Sequence, residues 1–118
     1  MADFGIFIGF GQPARGREIQ AAKVFGETLA YYGELQKRGE IEGFQVAILE
    51  AHGGDLDGFI LIRGERDQLA KLRASAEFER LTLRAGFIAN DIGVVSALLD
   101  NEAARFVGQA ATLTADLA

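Results

Sequence analysis

The residues best suited to chemistry lie in one stretch of the chain, Gly43 to Gly64. It contains two apolar runs, residues 44–52 and 59–63, and a turn of six residues with three glycines, 53–58. A parallel crossover needs a dozen residues or more, so a turn of this length predicts an antiparallel hairpin. The first run ends in the only histidine of the sequence.

An acid, a base and a cation fall close together if the hairpin pairs His52 with Phe59. Strand alternation then places His52, Glu50 and Arg63 on one face of the sheet, with Arg63 diagonal to Glu50. Such a group at the end of an apolar face suits proton abstraction from a small enolisable or phenolic substrate. The alternative interpretation is a surface Glu–Arg pair beside a turn histidine, and the sequence favours it.

Two further pairs are candidate ligand-binding residues. Arg15 and Arg17 precede a predicted helix, where two guanidinium groups beside free N–H groups can hold a phosphate or a carboxylate. Glu18 competes for the same cations, which favours solvated loop charges. Tyr31 and Tyr32 can line a pocket between that helix and the sheet. Aromatic residues at helical spacing are also typical of a core.

Several other motifs do not specify a site. Residues 9–14 match the outline G-x-G-x-x-A of a dinucleotide fingerprint, but Glu50 lies about forty residues from Gly9 instead of about 20. Asp55 and Asp57 lack the twelve-residue pattern of a calcium loop. One histidine and no cysteine give no zinc ligand set, no disulfide and no thiol nucleophile. We therefore predict no metal and no cofactor.

Length and charge restrict the class of protein. A chain of 118 residues with 49% hydrophobic and 25% charged residues is typical of one globular domain spanning residues 1–118. A net charge of −5 makes nucleic acid an unfavourable partner. No run approaches the roughly 18 apolar residues of a membrane span, and the acidic start predicts no signal peptide. A cytoplasmic protein is the expectation.

The hydrophobic pattern predicts the order β-α-β-β-α-β, followed by a C-terminal helix. This is the order of a ferredoxin-like α+β domain, with an antiparallel four-stranded sheet and two helices on one face. Asp67 is the predicted cap of a single second helix that includes Gly86. The predicted strands are 4–10, 44–52, 59–63 and 92–99, the first two helices are about 17–38 and 67–86, and the C-terminal helix is about 101–116, after a core of about 4–99.

Every predicted strand is apolar on both faces, whereas a sheet with one face in water alternates apolar with polar residues. Leaving several such side chains in water would forgo about 1.5–3 kcal/mol each. Two helices cover only one face. A second copy of the sheet, packed by two-fold symmetry, is the best cover for the other face.

The strand order, the doubly apolar strands and the short apolar tail helix resemble the dimeric α+β barrel superfamily, over about Phe4 to Leu99. The resemblance implies a homodimer in which two ferredoxin-like sheets form a barrel. The superfamily includes haem-degrading and cofactor-free monooxygenases, isomerases and ligand-sensing domains, so membership predicts the dimer better than the chemistry. A haem-degrading member is expected to have a histidine on a helix and often a tryptophan, and this chain has neither.

Two functions remain open. One is a homodimeric binding or accessory domain without chemistry of its own, which the absence of a specified catalytic group favours. The other is a cofactor-free monooxygenase or isomerase that acts on a small apolar substrate in a cavity beside the sheet. A cavity that holds His52, Glu50 or Arg63 would favour the enzyme.

Overall fold

The computed structural model describes residues 2–117. Its elements follow the order β-α-β-β-α-α-β-α, and a short 3₁₀ turn, Ala115–Leu117, ends the described chain. The strands are β1 (Phe4–Phe10), β2 (Gly43–Ile48), β3 (Gly58–Gly64) and β4 (Gly93–Leu98), and the helices are α1 (Glu18–Lys37), α2 (Arg66–Arg73), α3 (Ala76–Ile88) and α4 (Asp100–Thr114).

The four strands form one antiparallel sheet in the order β2-β3-β1-β4. Ile6 pairs with Ile62 and Ile8 with Ile60, and all four side chains are buried beneath the helices. Alternate residues point to the opposite face, away from the core that α1, α2 and α3 cover. We call it the open face; it carries Phe7, Phe59, Leu61, Val95, Ala47, Gln45 and Arg63.

The core lies between the sheet and the helices α1, α2 and α3. Ile6, Ile62 and Tyr32 are its most deeply buried large side chains. Leu69 and Leu72 of α2 and Phe78 of α3 pack into the same cluster. The predicted ferredoxin-like fold, with the helices on one face of a doubly apolar sheet, is therefore confirmed.

The predicted hairpin register was wrong. Ile48 pairs with Gly58, five residues from the predicted partner Arg63, and the strand β2 ends at Ile48. Residues 49–57 form a loop closed by the Leu49 N–H, which donates to the carbonyl of Asp57 (2.8 Å). Glu50 and His52 therefore lie in a loop and not on a sheet face.

The predicted second helix is two helices, and its cap was assigned to the wrong residue. Glu65 is the N-cap of α2, where it forms a capping box with Gln68. Asp67 lies in the first turn of α2. The chain breaks at Ser75, whose hydroxyl accepts from the Phe78 N–H (3.2 Å) and caps α3. Two short helices follow the twisted sheet where one longer helix was predicted.

The C-terminal helix α4 stands away from the rest of the chain. None of its residues is buried, and Phe106, Val107 and Leu113 are more than half exposed. The ion pair between Arg63 Nη1 and Asp100 Oδ2 (2.7 Å) ties its first residue to β3. The radius of gyration is 16.4 Å, against about 13 Å for a compact chain of this length.

Candidate functional site

A cavity of about 290 Å³ lies between the helices α1 and α3 and the covered face of the sheet. We call it the helix cavity. Its wall is almost entirely apolar, and it opens to solvent on one side. The apolar side chains around it include Ile8, Phe10, Ala21, Ala22, Val24, Phe25, Ile48, Ile60, Leu81, Ala85 and Ile88.

Small side chains on the facing helices leave this space. Ala21 and Ala22 of α1 and Ala85 of α3 stand where larger residues would close the gap to the sheet. At one end of the cavity, the loop after β1 pairs with the loop after α3. The Ala14 N–H donates to the carbonyl of Ile88 (2.8 Å), and further backbone hydrogen bonds join the two loops. The backbone therefore holds this end of the cavity in place.

Gly11 is required at this junction. A Cβ at this position would lie 2.9 Å from the carbonyl oxygens of both Asn90 and Asp55, closer than real contacts allow. The glycine at position 11 therefore serves the close packing of these loops.

Four residues with polar side chains line the cavity: Glu18, Thr28, Thr82 and Tyr32. The Thr28 hydroxyl is already used, because it donates to the carbonyl of Val24 (2.8 Å). Glu18 is exposed at the mouth, where a carboxylate oxygen accepts from the Gly16 N–H (3.2 Å). No histidine, lysine or arginine is part of the described lining. Its chemistry is limited to one carboxylate and three hydroxyls.

Tyr32 is the buried polar residue of the site, with 1% of its surface exposed. Burial raises the pKa of Tyr32 well above its ordinary value, and the neighbouring Tyr31 adds to the shift. Its hydroxyl makes no hydrogen bond to any residue between 2 and 117, so it keeps its proton and is free to donate. This residue can recognise a ligand oxygen, but it is a poor base.

The remaining predicted ligand-binding residues lie around the cavity and not in it. Tyr31 is half-buried, with its ring centroid 5.5 Å from that of Tyr32. Arg15 and Arg17 are exposed in the loop before α1. The structure therefore places one of the four candidates, Tyr32, in the cavity wall.

The predicted acid–base group is not assembled. Arg63 pairs with Gly43 at the far end of β3 from the loop that holds Glu50 and His52. Arg63 lies five positions after Gly58 along β3, a distance of about 17 Å. Arg63 instead binds Asp100 and the carbonyl of Ala2 (3.1 Å), which makes it an anchor for both ends of the chain.

His52 has a local role in the loop. Its Nε2 lies 2.7 Å from the carbonyl of Leu56, and its Nδ1 accepts from the Gly54 N–H (3.2 Å). With Nδ1 as an acceptor, Nε2 is the nitrogen that donates to the Leu56 carbonyl. Both nitrogens are therefore occupied by the backbone, and neither is available to a substrate in this conformation.

The described residues contain neither a metal-binding cluster nor a membrane-spanning helix. Residues 2–117 contain no cluster of three acidic, histidine or cysteine side chains placed to hold a metal ion. The helices within the same range include none that is long and apolar enough to cross a bilayer.

Solved structures show where else this arrangement of elements occurs. A dimeric protein of unknown function and ferredoxin-like fold from Bacteroides fragilis matches 81% of this chain and 96% of its own, with 9% identity and a TM-score of 0.57. SnoaB, a cofactor-independent oxygenase from Streptomyces nogalater, matches 85% of this chain and 98% of its own, with 17% identity and a TM-score of 0.51. A protein from Arabidopsis thaliana matches 84% of this chain and 96% of its own, with 9% identity and a TM-score of 0.56.

No protein-family model and no curated protein matches the sequence. At 9–17% identity, the structural likenesses establish the fold and not the chemistry. The chain is thus a ferredoxin-like α+β domain.

Proposed function

We propose that this protein is a homodimeric binding domain that holds a small apolar molecule in the helix cavity. The observation that carries the proposal is the cavity itself, about 290 Å³ of largely apolar space with Tyr32 in its wall. Pockets for small ligands are typically apolar with a few placed polar groups, and this volume is near their lower limit. The ligand expected is a compact hydrocarbon or aromatic molecule with one oxygen that accepts from Tyr32.

A neutral fluorescent probe, N-phenyl-1-naphthylamine, tests the occupancy of the cavity. Ala85→Leu adds bulk to the cavity wall, and we expect it to weaken probe binding about tenfold or more. Ala104→Leu makes the same change on the exposed helix α4 and is the matched control. Equal affinity of the wild type and Ala85→Leu would contradict the proposal, since the probe would then bind elsewhere.

The homodimer is proposed to bury the open face. Phe7 and Phe59 stack there with ring centroids 5.1 Å apart, and Val95, paired with Phe7, is 56% exposed in the protomer. Packing two such faces by two-fold symmetry removes this apolar surface from water. The dimeric state of the Bacteroides fragilis protein supports the same arrangement here.

Light scattering after size-exclusion chromatography tests the assembly. At micromolar concentration, we expect twice the 12.7-kDa protomer mass. Val95→Lys places a charge in the proposed interface and should raise the dimer dissociation constant at least a hundredfold. Leu83→Lys, at a 58% exposed position on α3, is the control and should remain dimeric. A monomeric wild type would refute the dimer.

A cofactor-free oxygenase acting in the same cavity is the second candidate. The likeness to SnoaB and the presence of Glu18 on the cavity wall favour it, because a carboxylate can take a proton from a phenolic substrate. Oxygen uptake with 1,4-naphthalenediol would be accelerated by the wild type and slowed at least tenfold by Glu18→Gln. If the wild-type protein does not raise the rate of oxygen uptake above the rate without protein, the oxygenase is refuted and the binding domain remains.

Location in the cytoplasm stays a prediction from composition.

A further inference from the structure

A second cavity, of about 310 Å³, lies between α2 and β4. We call it the α2 groove. It exists because α2 packs against β1 and β3 and leaves the same face of β4 uncovered, so that Ser96 and Leu98 are exposed. Its main side chains are Phe4, Arg66, Leu69, Arg73, Ser96 and Leu98.

Both arginines of the α2 groove lack a carboxylate partner among residues 2–117. The guanidinium carbon of Arg66 lies 4.7 Å from the centroid of the Phe4 ring. Arg73 Nη1 donates to the Ser96 hydroxyl (3.1 Å). No acidic residue belongs to the described lining, in a chain with a net charge of −5. The groove is therefore a positively charged site on an acidic protein.

The two ends of the groove differ in what they can bind. At one end, Ser96 accepts from Arg73, so the serine hydrogen and the remaining guanidinium N–H groups are free to donate. Together they suit the two oxygens of one carboxylate. At the other end, Arg66 over Phe4 offers a flat surface on which an aromatic ring can stack. Arg73 lies seven positions after Arg66 in α2, about 10 Å farther along the helix axis.

We propose that the α2 groove binds an aromatic monocarboxylate. The carboxylate accepts from Arg73 and Ser96, and the ring lies along Leu69 and Leu98 toward Arg66. Leu69 and Leu98, between the two arginines, favour a ligand with a flat apolar ring. The described lining has two arginines and no acidic residue, which favours an anion. This site is separate from the helix cavity and does not depend on the function proposed for that cavity.

Titration of the full chain with 2-naphthoate tests the site by the fluorescence of the ligand, since the protein has no tryptophan. Arg73→Gln should weaken binding roughly tenfold to a hundredfold, because a charge-assisted hydrogen bond is lost. Ser96→Ala should weaken it several-fold. Arg80→Gln removes an exposed arginine on α3 that pairs with Glu77 and should leave the affinity unchanged. Circular dichroism confirms that each variant is folded.

Three results would overturn the assignment. The first is no binding of 2-naphthoate to the wild type at millimolar concentration. The second is equal binding of the neutral analogue 2-naphthamide, because the anion would then not be recognised. The third is an affinity that Ala85→Leu lowers and Arg73→Gln does not, because the ligand would then occupy the helix cavity. Loss in Arg73→Gln with normal binding in Ala85→Leu supports the α2 groove, whatever the helix cavity binds.

Discussion

Replacing Tyr32 with phenylalanine should stabilise the protein and weaken the binding of an oxygen-bearing ligand. Tyr32 is 1% exposed and its hydroxyl makes no hydrogen bond within residues 2–117, but the hydroxyl oxygen is not fully buried, so folding removes part of its hydration. A fully buried polar group without a partner costs about 1–3 kcal/mol, and a partly hydrated one lies at the lower end of that range. We therefore expect Tyr32→Phe to raise the free energy of unfolding by about 1 kcal/mol at neutral pH.

The effect should grow in alkaline solution. Burial raises the pKa of Tyr32 in the folded protein above its ordinary value of 10.0, so the neutral hydroxyl is favoured by folding. This stabilising contribution is complete below pH 10 and is lost as the pH rises toward the folded-state pKa. Between pH 9 and pH 11, the wild type should lose on the order of 1 kcal/mol relative to Tyr32→Phe.

Urea unfolding at fixed protomer concentration measures both differences. Tyr31→Phe is the matched control, because the adjacent ring is half-buried and its change should alter stability by less than about 0.5 kcal/mol. A Tyr32→Phe variant less stable than the wild type by 1 kcal/mol at neutral pH would refute the reasoning, since the hydroxyl would then have a partner in the folded state. An equal loss of stability with pH in both proteins would refute the titration argument.

Four further substitutions test the packing and the corrected roles. Gly58→Ala should lower the free energy of unfolding, measured in urea, by about 2 kcal/mol, because the new Cβ would lie 2.6 Å from the Ala47 carbonyl oxygen. Gly26→Ala is the control. It has open space in α1 and should raise the free energy of unfolding by about 0.5–1 kcal/mol. His52→Ala should speed hydrogen exchange in residues 49–57 and cost about 1 kcal/mol. Arg63→Gln should speed hydrogen exchange in α4, because it removes the ion pair with Asp100. The affinity of the helix cavity for the probe should stay within twofold of the wild type. A larger change in affinity would indicate that Arg63 takes part in binding.

The fold was predictable because its determinants are local and repeated. The strand β1 was predicted with its observed limits, Phe4 to Phe10, from a run of β-branched and aromatic residues closed by glycine and proline. The helix α1 was predicted within one residue at each end, from two apolar stripes and a following glycine. The short turn between β2 and β3 then fixed their antiparallel pairing.

The register was not predictable from the same pattern. Residues 49–52 continue the alternation of β2, but in the structure the His52 ring binds the backbone at Gly54 and Leu56. Such local hydrogen bonds compete with the hydrogen bonds between strands, and the apolar pattern does not predict them. A shift of five residues, an odd number, also moves Arg63 to the opposite face from that of its predicted partner Ile48. The proposed acid–base group depended entirely on that pairing.

The helix cavity arises from small residues on two helices, and their effect can be recognised only when the relative position of the helices is known. Ala21 and Ala22 lie in a helix with apolar residues three or four apart, and in that pattern alanine indicates a helix former and not missing volume. The space appears because Ala85 of α3 faces the same region across the cavity. Which small residues meet across two helices is a tertiary property. Ile19, at the start of α1, is 85% exposed although it is apolar, because no element within residues 2–117 covers it.

Ligand binding and assembly use opposite sides of the same strands. Ile8 and Ile60 line the helix cavity, whereas their neighbours Phe7 and Phe59 stack on the open face. Because successive side chains of a strand point to opposite faces, a ligand in the cavity contacts none of the side chains proposed to hold the dimer. A folded, monomeric Val95→Lys protein should therefore bind the cavity probe within about twofold of the wild type. If that variant loses the probe as well, the partner subunit must help to form the binding site, and the cavity of one protomer is not the complete site.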